Sequence, residues 1–182
     1  MRIISGKFKG KRITAPKKLP VRPTTDMAKE ALFNILNNTY YFNEINVLDL
    51  FSGTGNISYE FASRGSQNII SVDEDYCCVK FINTINLELG TSINAIKSDV
   101  FKFLEKYSAT FDVIFADPPY SFEKSQFEKI IHLIFLNNLL KEGGTLIIEH
   151  SKQTDLSNVV NYSHSKKYGG NMFSFFELNQ ID

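Results

Sequence analysis

The segment Asn46-Val47-Leu48-Asp49-Leu50-Phe51-Ser52-Gly53-Thr54-Gly55 sets the architecture of this 182-residue chain. Its apolar first half predicts a buried strand. Its glycines predict a tight turn where a ligand can approach the backbone closely. A helical pattern follows to about Arg64-Gly65. A strand that enters a glycine turn and then a helix is the opening unit of a doubly wound α/β fold.

Strand and helix patterns alternate through most of the remaining chain. Apolar runs predict further strands at residues 68–73, 92–97, 111–116 and 144–149, separated by helical patterns at about 75–89, 100–107 and 124–137. This alternation indicates right-handed βαβ units and a parallel sheet with helices on both faces. After Ser157 the pattern changes to strand, a Gly169-Gly170 turn and strand, which predicts a closing antiparallel pair.

The N-terminal residues are basic, whereas the rest of the chain is acidic. Residues 1–22 hold eight Lys and Arg residues and no acid, which leaves 12 basic and 20 acidic residues in 23–182. Runs around Gly6 and Gly10 predict a small hairpin, so we divide the chain into a basic arm with its linker (1–22) and an α/β domain (23–182). The charge predicts a polyanion such as RNA, and a solvated terminus is the alternative. The candidate RNA-binding residues are Arg2, Lys7, Lys9, Lys11, Arg12 and Arg22.

Two segments near the N-terminus have local interpretations. Phe8, between lysines, could stack on a base or anchor the hairpin. Residues 27–36 carry apolar side chains at helical spacing, Thr24 or Thr25 is a natural N-cap, and Asp26 suits the positive end of the helix dipole.

Length and composition predict one domain, or one domain with a small appendage, and they predict neither a membrane span nor a metal site. The hydrophobic share of 43% is enough for a core, and no run of 18 apolar residues is present. Cys77 and Cys78 are adjacent, which is typical of reduced thiols in a cytosolic protein. The histidines His132, His150 and His164 lack the spacing of a metal site, so no metal is expected.

Acidic residues stand where predicted strands end. Asp73 ends the second strand, where its carboxylate could accept both hydroxyls of a ribose. Asp99 and the amide of Val100 follow the third strand, where they could bind an adenine. Because ligands of doubly wound sheets bind beyond the carboxyl ends of the strands, these residues and the glycine loop predict an adenosine site.

The glycine loop indicates which adenosine cofactor binds. The dinucleotide fingerprint G-x-G-x-x-G needs a third glycine where this chain has Ser58, and no P-loop sequence is present. Asp49 would repel a pyrophosphate but would suit an ammonium or sulfonium group. We therefore expect S-adenosylmethionine, with its amino-acid end held by Asp49, Phe51, Gly53, Thr54 and Gly55.

The motif Asp117-Pro118-Pro119-Tyr120 follows the fourth predicted strand. Prolines supply no N–H and cannot extend a sheet, so the chain leaves the sheet there on a stiff backbone. The Asp117 carboxylate and the Pro118 carbonyl offer two acceptors, and Tyr120 offers a flat ring. These groups predict a clamp for a planar amine such as a nucleobase, with Asp117, Pro118 and Tyr120 as catalytic residues. A proline turn with a surface acid is the alternative.

Together these motifs resemble class I methyltransferases that act on exocyclic amino groups. More narrowly, the chain resembles the RsmD-type 16S ribosomal RNA guanine-N2 methyltransferases over essentially its whole length. The segments that carry this resemblance are Arg2-Ile3-Ile4-Ser5-Gly6, Gly10-Lys11-Arg12, Arg22-Pro23-Thr24-Thr25-Asp26, Glu30-Ala31-Leu32-Phe33-Asn34, Ser63-Arg64-Gly65 and Lys167-Tyr168-Gly169.

The resemblance implies a fold, a location and a substrate. It implies a Rossmann-like, seven-stranded, mostly parallel sheet with an antiparallel strand at the end, in a cytoplasmic enzyme. The implied substrate is 16S rRNA within the small ribosomal subunit or its assembly intermediate. The resemblance also implies that Arg22 and Thr24 close the site from outside the sheet, with Thr24 among the cofactor-binding residues. Members often carry a basic residue in place of Met27 and a glycine in place of Ser58; we expect the first to alter RNA contacts and the second only helix packing.

The residues alone leave other functions open. An adenine-N6 methyltransferase acting on DNA or RNA needs the same clamp, and a non-catalytic RNA-binding assembly factor could retain the fold. A nicotinamide-dependent dehydrogenase is disfavoured by Ser58 and Asp49. No charged heptad pattern predicts a dimer, so we expect a monomer.

Overall fold

The computed structural model describes residues 1–16, 19 and 25–178. Its helices are α1 (Asp26–Leu36), α2 (Asn56–Ser63), α3 (Tyr76–Leu89), α4 (Val100–Lys106) and α5 (Lys124–Leu136), with a 3₁₀ turn at Phe42–Glu44. Its strands are β1 (Asn46–Leu50), β2 (Asn68–Asp73), β3 (Ile93–Lys97), β4 (Phe111–Ala116), β5 (Leu140–Ser151), β6 (Tyr162–Tyr168) and β7 (Asn171–Phe176). Among these helices none is long and apolar enough to cross a membrane.

The strands form one seven-stranded sheet in the order β3-β2-β1-β4-β5-β7-β6. The first five strands in this order are parallel, whereas β7 is antiparallel to both β5 and β6. The predicted fold class is therefore confirmed. The antiparallel strand is the last in the chain but lies second from the edge, because the β6–β7 hairpin folds back with β6 outside.

Side chains of the central strands alternate between two cores. Val47 of β1 packs with α1, α2 and α3, whereas Leu48 and Leu50 pack with α4 and α5. Each fully buried side chain of this size contributes about 1.5–3 kcal/mol. Since successive residues of a strand point to opposite faces, Asp49 shares its face with Val47 and faces the α1–α3 side.

Helix ends follow local sequence signals. The Thr25 hydroxyl accepts the N–H of Ala28 at 3.2 Å and so caps α1, which selects one of the two predicted caps. Asp75 caps α3 by accepting the N–H of Cys77 at 2.6 Å, and Gly90 ends α3 in the left-handed conformation. Helix bounds predicted from such signals agree with the structure to within one or two residues.

Strand β5 is longer than its apolar pattern predicts. It begins at Leu140 rather than Gly144, because Leu140 pairs with Phe111 at the start of β4. The register between the two strands then shifts, and Gly143 adopts a positive φ of 72°. Glycine tolerates that backbone conformation, so Gly143 permits an irregularity within the strand.

The predicted hairpin is present and packs on the α/β body. Arg2 and Arg12 form its β-bridge, and the Gly10 N–H donates to the Ile3 carbonyl at 2.8 Å. Ile3 and Ile13 are buried in the core beside α1, α2 and α3. Apolar burial therefore anchors the basic arm, while the charged side chains within residues 1–16 stay exposed.

A buried ion pair also fixes the arm to α1 and α2. Glu60 is fully buried and accepts the backbone N–H groups of Ile4 (2.8 Å) and Ser5 (3.0 Å). Lys29, also fully buried, has its Nζ 3.4 Å from Glu60 and donates to the Arg2 carbonyl at 2.6 Å. Burial lowers the pKa of Lys29, and the Glu60 carboxylate opposes that shift. The charges of Lys29 and Glu60 therefore compensate each other at the point where both side chains bind the arm.

Candidate active site

A cleft of about 750 Å³ opens at the carboxyl ends of β1 to β5. From β1 the chain proceeds through β2 to β3 on one side of the sheet, and through β4 to β5 on the other, so a crevice forms where the strand order reverses. Ten predicted site residues line it: Asp49, Phe51, Gly53, Thr54, Asp73, Asp99, Val100, Asp117, Pro118 and Tyr120. The structure therefore brings the predicted cofactor site and the predicted clamp together.

The loop after β1 depends on left-handed backbone. Phe51, Gly53 and Gly55 have φ angles of 56°, 52° and 81°, and Phe51 bears the strain of a side chain in this region. Gly55 is the N-cap of α2, and a Cβ added there would lie 2.9 Å from Tyr59 Cζ. Gly55 therefore shapes the loop from behind, whereas Phe51, Gly53 and Thr54 line the cleft.

Asp49 is buried beside the loop and supported by hydroxyl groups. Its Oδ2 accepts the Ser58 N–H at 3.1 Å and the Ser58 hydroxyl at 2.5 Å, and the Ser71 hydroxyl lies 2.6 Å from that of Ser58. Burial raises the pKa of Asp49 to about 7, against the opposing effect of the Ser58 hydrogen bonds. Ser58 thus does more than change helix packing, because its hydroxyl bonds directly to a cleft carboxylate.

The acids after β2 and β3 are held by backbone N–H groups. Asp73 accepts the N–H of Gly53 at 2.7 Å and that of Asp75 at 2.9 Å, and burial raises its pKa. Asp99 caps α4 by accepting the N–H of Lys102 at 2.9 Å. Since a carboxylate has about four lone-pair sites, both acids retain capacity for ligand donors such as ribose hydroxyls or an adenine amine.

The charge of the cleft discriminates between adenosine cofactors. Seven carboxylates line it, and none of its lining residues in the described part of the chain is Lys or Arg; the acids are Asp49, Asp73, Glu74, Asp75, Asp99, Asp117 and Glu149. Such a site attracts a cationic ligand and repels a pyrophosphate. Ile57, Val100 and Phe101 add apolar wall for a purine. These residues fit S-adenosylmethionine, which carries an ammonium and a sulfonium, better than a nicotinamide dinucleotide.

The motif after β4 lies beside the cofactor residues. The Asp117 N–H donates to the Leu50 carbonyl at 3.4 Å, which places the end of β4 beside the start of the glycine loop. Asp117 is half-buried, and Pro118 behind it is buried. The Tyr120 side chain lines the cleft with the residue 54% exposed, and its hydroxyl donates to Asn171 Oδ1 at 3.3 Å. An aromatic face therefore stands next to the two predicted acceptors.

The cleft also contains residues that the sequence analysis did not single out. Glu149, two residues before the end of β5, and Asn171 at the start of β7 both line it, and Asn171 Nδ2 donates to Glu149 Oε1 at 2.5 Å. Asn56, next to the loop, accepts from the buried Lys29 at 2.8 Å. The sequence does contain a signal for Glu149, because this acid is the last residue of the predicted apolar strand 144–149. Asp117 has a similar position directly after the predicted strand 111–116. Asn56 and Asn171 have no comparable signal.

The basic side chains in the described part of the arm, residues 1–16, are exposed to solvent. The exposed ones are Arg2, Lys7, Lys9, Lys11 and Arg12. Arg2 pairs with Asp26 at 3.1 Å, and Lys11 lies 3.9 Å from Glu88. Exposed pairs of this kind contribute at most about 1 kcal/mol, so phosphates can replace the carboxylates. Phe8 is partly buried against the α1–α3 core, which favours the interpretation that it anchors the hairpin over the one that it stacks on a base.

The remaining predicted residues lie at the edge of the described chain. Arg22 and Thr24 fall outside the described residues, so their predicted roles stay predictions. Thr25 and Met27, just after them, line the cleft. Met27 is 69% exposed there, which places this departure from the family pattern at the mouth of the site.

Known proteins resemble the chain over most of its length. The family described as Conserved hypothetical protein 95 matches residues 1–177. YlbH of Bacillus subtilis (strain 168), provisionally named an rRNA methyltransferase, is 34% identical over 165 residues, which is 88% of each chain. The ribosomal RNA small subunit methyltransferase D of Buchnera aphidicola subsp. Baizongia pistaciae (strain Bp) is 32% identical over 150 residues, 82% of this chain and 75% of that protein.

Solved structures share the fold. A hypothetical protein of Thermus thermophilus has a TM-score of 0.85 at 25% identity and covers 98% of this chain and 99% of its own. A 16S rRNA N2-guanine methyltransferase of the same species, solved with S-adenosylmethionine and guanosine, has a TM-score of 0.71 at 19% identity, over 87% of this chain and 45% of that one.

The family assignment rests on the match along residues 1–177 and on two relatives above 30% identity. It confirms the family resemblance that the sequence predicted. The chain belongs to the RsmD-type family of S-adenosylmethionine-dependent ribosomal RNA methyltransferases.

Proposed function

We propose that this protein transfers a methyl group from S-adenosylmethionine to the exocyclic N2 amino group of a specific guanine in 16S rRNA. One observation carries the proposal: a single cleft joins carboxylates at the ends of β1 to β3 with the acceptors and ring of Asp117, Pro118 and Tyr120. The first side suits a cationic cofactor and the second suits a planar amine. The name of the Buchnera relative supports ribosomal RNA of the small subunit as the substrate.

The cofactor is held by residues that have fixed positions. When bound, S-adenosylmethionine supplies an activated methyl group on a sulfonium centre. Asp49 and the loop 51–54 bind its amino-acid end, and Asp73 accepts the ribose hydroxyls. Asp99 and the Val100 amide bind the adenine. Each carboxylate is already oriented by N–H or hydroxyl donors, so little side-chain entropy is lost on binding.

The clamp activates a poor nucleophile by orienting it. The lone pair of a guanine N2 is delocalised into the ring. Asp117 and the Pro118 carbonyl accept the two N–H groups, turn the lone pair toward the methyl group, and stabilise the charge that develops on nitrogen. The excess proton leaves after transfer, so Asp117 need not be a strong base. Tyr120 stacks the base, which must be unpaired or flipped out to enter the cleft.

The arm explains how the substrate arrives. Its exposed Lys and Arg side chains bind phosphates of 16S rRNA, in the small subunit or its assembly intermediate. We treat residues 1–22 as this RNA-binding element and 23–182 as the catalytic domain. We further propose that the protein acts as a monomer in the cytoplasm, where small subunits are assembled. Sedimentation of the purified protein tests whether it is a monomer.

One assay separates this function from its rivals. Small subunits that lack the modification are incubated with the protein and methyl-labelled S-adenosylmethionine, and the RNA is digested to nucleosides. We expect labelled N2-methylguanosine. Labelled N6-methyladenosine would assign the adenine-N6 activity instead, and bound RNA without label would indicate a binding factor. Parallel incubation with naked 16S rRNA shows whether the protein needs the assembled particle.

A further inference from the structure

Glu149 is a buried carboxylate in the wall of the cleft. It is 2% exposed, yet it lines the same cleft as Asp117. The parallel register of β4 and β5 pairs Ala116 with Ile148, so Asp117, the first residue after β4, lies beside Glu149 of β5. A carboxylate in such a place is costly unless donors compensate it, and one of its donors is the Nδ2 of Asn171 at 2.5 Å.

Asn171 connects Glu149 to the ring of the clamp. While its Nδ2 donates to Glu149, its Oδ1 accepts the Tyr120 hydroxyl at 3.3 Å. Glu149, Asn171 and Tyr120 therefore form a hydrogen-bonded chain along one side of the cleft. This side lies across β4 from the cofactor acids of β1, β2 and β3, since β5 and β7 follow β4 in the sheet. The chain thus borders the space for the base rather than the cofactor.

The Watson–Crick edges of the two candidate bases differ beside the amine. In guanine the N2 amino group neighbours N1–H, which is a donor. In adenine the N6 amino group neighbours N1, which is an acceptor. A fixed carboxylate accepts from the first and repels the lone pair of the second. The neighbour of Asp117 is therefore placed to distinguish the bases at the position where they differ.

We propose that Glu149 is the residue that selects guanine, by accepting the N1–H of the target base while Asp117 and Pro118 accept its N2 amino group. This role rests on the proposed function and adds a specificity determinant to it. Asn171 is then a positioning residue, because it holds the Glu149 carboxylate and the Tyr120 ring in one arrangement. The Asp117 motif methylates an amine, and Glu149 restricts that amine to guanine.

The test compares guanine with 2-aminopurine, which keeps the amine at C2 but has an acceptor at N1. Small subunits are reconstituted with 16S rRNA that carries either base at the methylated position, which is mapped beforehand from labelled RNA fragments. The readout is kcat/KM for methyl transfer. We expect the wild type to prefer guanine by at least about 100-fold, because a buried acceptor rejects a base that lacks its donor. This comparison requires no variant.

The variant Glu149→Gln should remove the preference. With Asn171 holding the glutamine oxygen, the glutamine NH2 group faces the base, where it can donate to N1 of 2-aminopurine but opposes the N1–H of guanine, so we expect the ratio to fall to 1 or below. Glu142→Gln is the matched control, since it makes the same change at an exposed position near the other end of β5, and it should keep the wild-type ratio. Calorimetric binding of S-adenosylmethionine should be unchanged in both variants.

A wild-type ratio near 1, or an unchanged ratio in Glu149→Gln, would overturn the role of Glu149 while leaving the proposed function intact. An equal loss of the guanine preference in Glu142→Gln would also overturn the role of Glu149, because the effect would then not depend on a side chain in the cleft. Absence of N2-methylguanosine from the wild type would overturn the proposed function and this role with it.

Discussion

Asp117 directly follows β4, lies beside the glycine loop that follows β1, and precedes Tyr120 by three residues. We predict that Asp117→Ala leaves cofactor binding intact but slows methyl transfer by about 10²–10³-fold, since one preorganised acceptor contributes about that much. Single-turnover transfer from labelled S-adenosylmethionine measures the rate, and calorimetry measures cofactor binding. Asp117→Asn, which keeps one acceptor, should be slowed less. Transfer by Asp117→Ala at close to the wild-type rate would exclude Asp117 from the chemistry.

Asp49 should make stability depend on pH. Because burial raises its native pKa to about 7 while its unfolded pKa is near 4, the native state holds a proton that the unfolded state has lost between these values. The free energy of unfolding should therefore fall as pH rises from about 4 to 7, by at most about 1.4 kcal/mol per pH unit from this group. Asp73 shifts in the same direction.

Urea unfolding of the wild type and of Asp49→Asn between about pH 4.5 and 8 tests this effect. Taking the difference between the two proteins removes the contributions of all other groups. We expect the stability of the wild type relative to Asp49→Asn to decline as pH rises and to level off above about 7. Parallel profiles would mean that Asp49 titrates at its ordinary pKa in the folded protein.

At the scale of elements, the hairpin and α2 approach so closely that one position has no room for a side chain. Gly6 has a φ of 82°, and a Cβ there would lie 1.9 Å from the Ser63 carbonyl oxygen. That contact is backbone, so it cannot rotate away. The Lys7 N–H donates to the same oxygen at 2.7 Å, which fixes the approach. The sequence shows the glycine but not the partner that requires it.

Gly6→Ala should therefore destabilise the protein by about 3 kcal/mol, through displacement of the arm as well as backbone strain. Gly10→Ala is the matched control: Gly10 has a similar φ of 85°, but a Cβ there meets nothing within 4 Å. In Gly10→Ala only the backbone strain should lower the free energy of unfolding, by about 1–2 kcal/mol. Denaturant unfolding of both variants measures the difference. Equal losses would show that contact with α2 does not hold the arm.

The buried Lys29 joins the arm to the cofactor loop. Its Nζ donates to the Arg2 carbonyl and to Asn56 Oδ1, and Asn56 lines the cleft. Thr54 Oγ1 lies 3.9 Å from Met1 Sδ, a second contact between the loop and the arm. The element that carries the positive charge is thus in direct contact with the loop that lines the cofactor side.

Across the whole molecule, charge is divided between a basic arm and an acidic cleft. We predict that replacing Lys7, Lys9, Lys11 and Arg12 with Gln weakens RNA binding and flattens its salt dependence. The slope of log K against log salt should fall by up to about 3, since each phosphate contact contributes about 0.7–0.9. Filter binding of 16S rRNA at several salt concentrations measures the slope.

The control replaces four exposed lysines on α4 and α5, which pack on the opposite face of the sheet: Lys102, Lys106, Lys124 and Lys129. It changes the net charge by the same amount, so a general electrostatic effect would appear in both proteins. An unchanged slope in the arm variant, or equal changes in the two, would remove the arm from the RNA interface.

Much of this molecule follows from its sequence through local interactions. Strand and helix periods, the caps at Thr25 and Asp75, and the stop at Gly90 depend on residues a few positions apart, and they predict nearly every element. The acids at strand ends are equally visible, because a parallel sheet collects the carboxyl ends of its strands at one edge. These acids and the glycine loop indicate the cofactor, and the family motifs add the class of substrate.

Tertiary structure alone decided the rest, because the partners are distant in the chain. The start of β5 depends on pairing with Phe111, and the burial of Lys29 depends on Glu60. Glu149 enters the cleft wall through the register with β4, and Asn171 reaches it across a separate hairpin. Periodicity shows which face a residue occupies, whereas only the assembled sheet shows which other side chain lies opposite it. The proposed amine chemistry therefore follows from residues that are visible in the sequence, whereas the proposed choice of base required the fold.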